Sequence, residues 1–198
     1  LQHRGQESVG IAASDGENIQ LHTAMGMVTQ SLDEDDLIRI PGHLAVGHTR
    51  YSTAGSTSLK NAQPILSKGP EIELALAHNG NVVNALELRD ELLEWGCDFS
   101  TSSDSEIIAH LLTNAPATKW DDRVAYVMRR VQGAYSLAIL TKDSLIGIRD
   151  PLGVRPLCIG ELNGGWVIAS ETCALDHLGA TFVREVDPGE AVIIDENG

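Results

Sequence analysis

From Ala134 onward the chain is a series of short apolar runs, "AYSLAIL", "LIGIRD", "LCIGEL", "WVIAS", "TFVREV" and "EAVIID". Lys-Asp, Pro-Leu-Gly, Asn-Gly-Gly and Asp-Pro-Gly turn signals join them. Strands this short and this closely spaced pair as hairpins, so the fold is committed to antiparallel sheet. The first fifty residues repeat the pattern. "SVGIAAS" and "NIQLH" flank Asp15-Gly16, a hairpin signal, and "HLAVGHTR" reads as a further strand. Between them, Ser31 and Glu34 have capping-box spacing ahead of "DDLIRI", a short helix closed by Pro41-Gly42. Residues 52–70 read as a long loop rich in Ser, Thr, Gly and Pro.

Helices are inserted between the two strand groups. "NALELRDELLEWG" puts Leu86, Leu92 and Leu93 near one face and stops at Gly96. Ser103 and Glu106 repeat the capping-box spacing before "IIAHLL", and "DDRVAYVMRRV" is a third amphipathic helix. Just before them, "LALAHNGNVVN" is an alternating apolar run expected to end at His78, with Asn79-Gly80 as a turn. Strands in hairpin-linked groups with segregated helices predict an α+β layered sandwich.

At 198 residues the chain predicts one domain. A formal charge of −14 argues against a phosphate-backbone partner, which needs clustered Lys and Arg, so no nucleic acid is expected. Cys97, Cys158 and Cys173 are odd in number and lack CxxC spacing, which suggests neither a disulfide framework nor a zinc site. Cys158 and Cys173 read as buried. A reducing, cytoplasmic setting is expected, and no apolar run is long enough for a membrane span. Seven histidines lack HxH, HxxxH or HExxH spacing, so no metal ligands are expected, and His48 and His78 read as packed or hydrogen-bonded. The first residue is Leu1, and "LQHRG" reads as the last turn of a helix capped by Gly5, so truncation at both ends is expected.

Three polar groups stand out. In "GHTRYSTAG", Arg50 offers a planar fork for a carboxylate or phosphate, although a solvated loop arginine reads equally well. Asn79 and the Gly80 N–H can aim two donors at a carbonyl oxygen, while Asn-Gly alone is more often only a tight turn. Asp104 in "TSSDSEI" can hold an ammonium, or simply cap a helix. Together an anion fork, a cation acceptor and an oxyanion hole suit glutamine. None of the three cysteines has an adjacent base that would make it the nucleophile.

"LQHRGQES", "GHTRYSTAG", "LAHNGNVVNALELR", "TSSDSE", "RDPLGVRPLCIG", "ASETCALD" and "REVDPGE" resemble the glutaminase domain of the glutamine phosphoribosylpyrophosphate amidotransferases, through almost the whole chain. The resemblance implies a four-layer αββα sandwich of N-terminal-nucleophile type, with the first strand and helix missing and the phosphoribosyltransferase domain absent. It implies that Arg50, with Tyr51 and Thr53, binds the glutamine α-carboxylate, that Asp104 takes the α-ammonium, and that Asn79 and Gly80 form the oxyanion hole. Arg4 and Gly5 would lie beside the nucleophile, an N-terminal cysteine not among these residues. In "RDPLGVRPL", Arg149, Asp150 and Arg155 leave phosphate binding and a structural role both open.

The implied reaction releases ammonia from glutamine, which then converts phosphoribosyl pyrophosphate to 5-phosphoribosylamine in purine synthesis. No cofactor is implied for this chain. Mg²⁺ and, in the cluster-bearing subtype, a 4Fe–4S cluster belong to the intact enzyme, expected as a homo-oligomer. Rival expectations are another class II amidotransferase such as glucosamine-6-phosphate synthase, and a non-catalytic glutamine-binding module.

Overall fold

The computed structural model describes residues 1–51 and 58–196. A 3-10 turn over Gln2–Arg4 leads into β1 (Ser8–Ser14) and β2 (Ile19–Met25), followed by α1 (Val28–Ser31), α2 (Glu34–Ile38) and β3 (Leu44–Arg50). β1 lies between β2 and β3 in an antiparallel three-stranded sheet. β4 (Ile65–Lys68) and β5 (Glu73–Val82) precede α3 (Ala85–Glu94), α4 (Asp104–Thr113) and α5 (Trp120–Arg130). β6 (Gly133–Leu140), β7 (Leu145–Arg149), β8 (Cys158–Leu162) and β9 (Gly165–Ala169) follow, then α6 (Thr172–Leu178), β10 (Thr181–Glu185) and β11 (Ala191–Ile194). A five-stranded sheet has the order β11-β7-β6-β5-β4, and a second small sheet the order β10-β8-β9. All these pairings are antiparallel.

The period of two along a strand decides the layers. On one face of the large sheet Leu74, Leu76, Val82, Leu137, Ile146 and Ile148 pack with Leu88, Leu92, Ile108, Leu112 and Val127 of α3 to α5. On the other face Ala75, Ala77 and Leu140 meet Ala12, Ile19 and Val46 of the β1–β3 sheet. Ile168 of β9 and Val192 of β11 come within 3.1 Å of where a Gly147 side chain would begin, which puts the β8–β10 sheet on that same face. α3 to α5 thus cover one side of the large sheet and two small sheets the other, while α6 packs on the β8–β10 sheet through Leu175, a mixed fold of antiparallel sheets and helices.

Several local expectations are corrected. β5 does not stop at His78 but runs to Val82, because Asn79, Gly80 and Asn81 pair with Ser136, Tyr135 and Ala134 of β6. α2 is capped by Asp33, whose carboxylate accepts from Asp36 N while Asp36 reaches back to Asp33 N; Ser31 instead ends α1 and donates to the Met25 carbonyl. Ser103 does cap α4, but Glu106 accepts from Ser100 and Thr101 rather than closing a box on Ser103. The buried face of α3 is Leu88 and Leu92, whereas Leu86 and Leu93 are 79% and 51% exposed. Gly5 is extended, φ −165°, and is no left-handed cap: a side chain there would meet the Arg50 backbone at 2.4 Å. Within the expected 52–70 loop lie a 3-10 turn at Leu59–Asn61 and β4. Cys173 is exposed, unlike Cys158.

Candidate functional site

β4 pairs with β5 only as far as Ile65 opposite Leu76. Beyond that point the edge of β5 is open, and backbone N–H groups of alternate residues point out of it. His78 N donates to Gln63 Oε1 at 2.6 Å, and Val82 N donates to Asp104 Oδ2 at 2.9 Å. Gly80 lies between them with the same orientation. Its partner in β6, Tyr135, turns its own N–H and carbonyl towards Asp150, so Gly80 and Tyr135 form a non-hydrogen-bonded pair. The Gly80 N–H therefore faces the open edge, and no acceptor takes it among the described residues.

Asn79 is one residue earlier, so its side chain lies on the face shared with Ala75 and Ala77, towards the small sheets. A cavity of about 740 Å³ sits there between the large sheet and β3 and β9. Arg4, Arg50, Tyr51, Asn79, Gly80 and Asp104 all line it, so six candidates from four distant segments converge. Gly5 serves this site from behind by letting the first turn press on Arg50. Thr53 lies outside the described residues.

Asp104 is the first residue of α4, where the helix dipole favours a carboxylate. Burial pushes its pKa up, but the neighbouring His78 ring, the Val82 N–H donor and the start of the helix outweigh that and hold it below the usual carboxylate range. It is an anion at neutral pH. His78 Nδ1 lies 3.6 Å from Asp104 Oδ1 and 3.1 Å from Ser105 Oγ, while its Nε2 is buried with no hydrogen-bond partner among the described residues. Nearby, desolvation of His48, aided by repulsion from His78, Arg50 and Arg4, lowers its pKa to about 4. It is a neutral imidazole in the cavity wall.

Arg50 is buried at the end of β3 and ion-paired with Glu7, just before β1. Glu7 was not singled out from the sequence, although it stands inside "QHRGQES"; its signal was a carboxylate two residues from a glycine that has to touch the arginine backbone. Arg4 pairs with Glu171 at 3.1 Å. The "RDPLGVRPL" segment resolves in part. Asp150 is fully buried and accepts from the N–H groups of Leu152 and Val154, and Arg149 donates to the carbonyls of Arg155, Val186 and Gly153, so both shape the turn. Arg155 is exposed and lines the cavity. No cysteine lines it among the described residues: Cys158 donates to the Ala169 carbonyl, and Cys173 to Glu171.

A protein-family model described as a glutamine amidotransferase domain matches residues 48–177, about two thirds of the chain, including the end of β3, the Asn79-Gly80 edge and Asp104. The chain belongs to the glutamine amidotransferase family. It is 48% identical over 204 residues to the amidophosphoribosyltransferase of Synechococcus elongatus, covering all of this chain and 41% of that protein. Among solved structures, it is similar to the glutamine phosphoribosylpyrophosphate amidotransferase from B. subtilis complexed with ADP and GMP. There the identity is 43% and the TM-score 0.92, over all of this chain and 43% of that one. A structure described as the allosteric regulatory enzyme of purine biosynthesis gives 44% identity and a TM-score of 0.94 at the same coverage. The chain therefore spans about two fifths of the relatives that it matches. As an amidotransferase-family domain it has no helix, among the described residues, long and apolar enough to cross a membrane.

Proposed function

We propose that this chain is the glutaminase domain of an amidophosphoribosyltransferase, with the αββα sandwich of the N-terminal-nucleophile class. The observation that carries the reading is the open Gly80 N–H beside Asn79, between two neighbouring N–H groups that already have acceptors. A donor left unsatisfied at a cavity wall is what a developing oxyanion needs, and preorganised donors lower the barrier because they need not reorient. Asp104, held anionic, receives the glutamine α-ammonium. Arg50, which pairs with Glu7, binds the α-carboxylate, and the family resemblance gives Tyr51 and Thr53 a share in that contact.

The family resemblance supplies the nucleophile as an N-terminal cysteine using its own amine as base, with Arg4 and Gly5 close by. Thiolate attack on the side-chain carbonyl gives a tetrahedral oxyanion held by Asn79 and Gly80. Collapse expels ammonia and leaves a glutamyl thioester, which water resolves. The ammonia then displaces pyrophosphate from phosphoribosyl pyrophosphate in the remainder of a cytoplasmic, homo-oligomeric enzyme, where Mg²⁺ belongs, with a 4Fe–4S cluster in the cluster-bearing subtype.

The test is glutamine hydrolysis by the full-length protein carrying Asn79→Ala. Loss of one oxyanion donor is expected to lower kcat about 10²- to 10³-fold with a smaller change in KM. Unchanged turnover rejects the assignment.

A further inference from the structure

Away from the cavity edge, the 3-10 turn at Gln2–Arg4 touches the start of α6, and three side chains of different chemistry meet there. His3 Nε2 lies 2.7 Å from Glu171 Oε2, and Cys173 Sγ lies 3.3 Å from that same oxygen. The three ligand atoms are all within 4.8 Å of one another. We propose that His3, Glu171 and Cys173 form a binding site for a thiophilic divalent cation of the zinc type, with solvent as fourth ligand.

The geometry can be set against tetrahedral coordination. Metal–ligand distances of about 2.05 Å for N and O and about 2.3 Å for S place ligand atoms about 3.3 Å apart for an N–O edge and about 3.6 Å for an edge with sulfur. The Cys173–Glu171 separation of 3.3 Å is already close to this. His3 must withdraw from 2.7 Å by roughly 0.6 Å to reach its N–O edge, which a 59% exposed side chain can do by rotating.

Two donors converge on one carboxylate oxygen, a place where a single cation replaces both protons. The other oxygen, Oε1, is held by Arg4 at 3.1 Å, which orients the carboxylate as an outer-shell partner does. Imidazole with thiolate selects zinc-type ions over magnesium or calcium, which prefer all-oxygen shells. Cys173 gives up its thiol proton to solvent on binding. Separate hydrogen bonds from the imidazole and the thiol explain the two contacts one at a time, whereas a cation explains their meeting on one oxygen.

The probe is Co²⁺ added to the full-length protein, followed by Zn²⁺ competition. A thiolate-to-cobalt charge-transfer band with tetrahedral d–d absorption is expected in the wild type and absent in Cys173→Ser. His3→Ala and Glu171→Gln are each expected to weaken Zn²⁺ binding at least tenfold, with an unchanged circular dichroism spectrum, since His3 and Cys173 are exposed and Glu171 is half-buried. A band that is missing from the wild type, or that persists in Cys173→Ser, overturns the site. So does full affinity in either of the other variants.

Discussion

At Gly80 the missing side chain has a measurable reason. A Cβ there would lie 2.0 Å from the Ala134 carbonyl oxygen and 2.7 Å from Tyr135 Cα, both backbone atoms that cannot swing away. Gly80→Ala is therefore expected to destabilise the full-length protein by about 1–3 kcal/mol through overpacking, seen as a lower Tm. His48 gives a pH prediction. With its folded pKa about 4 against 6.5 in the unfolded chain, the unfolded state binds more protons between those values, so stability falls as pH drops through that window and is recovered above it. The loss is on the order of 1–3 kcal/mol and is expected to shrink in His48→Gln, measured as Tm against pH. The sequence made Arg50, Asn79 and Asp104 legible because Arg50 closes a strand ahead of a Ser/Thr/Gly stretch, Asn79 precedes a glycine and Asp104 opens a helix. It misread the reason for Gly80 and Gly5, since close approach of another chain segment leaves no local mark and resembles a turn or a cap.

Elements with their own punctuation were readable and those without were not. Asp15-Gly16 announced the β1–β2 hairpin, and Gly16 has the positive φ, 95°, that such a turn requires. β4 has four residues and sits among prolines and glycines, too short for its alternation to register. α6 lacks a side-chain cap and buries only Leu175, so its helical period has nothing to repeat. α5 carries a role no pattern revealed: Arg123, 3% exposed, donates to the Leu112 and Ala115 carbonyls at the end of α4 and to Glu71. Arg123→Ala leaves those carbonyls without their donor, and a loss of about 2–4 kcal/mol is expected in thermal melts, with glutamine KM unaffected.

For the whole molecule, the layered arrangement followed from strand and helix order, but the meeting of His3 with Glu171 did not. Those residues are 168 positions apart, and no spacing rule reaches so far. If this domain only supplies ammonia, the full-length Asn79→Ala protein is expected to keep normal phosphoribosylamine formation with ammonium salts while losing the glutamine-dependent rate. Equal loss of both rates would mean that Asn79 supports the whole enzyme and not this site alone. The open edge of β5 has one more consequence, in isotope exchange. The amides of Asn79 and Asn81 face β6 and lie in the best-packed sheet, where exchange with deuterium waits on deep unfolding. The Gly80 amide, between them, has no acceptor among the described residues to protect it. It should label early, a single fast site inside the slowest strand, and slow down when a glutamine analogue occupies the cavity.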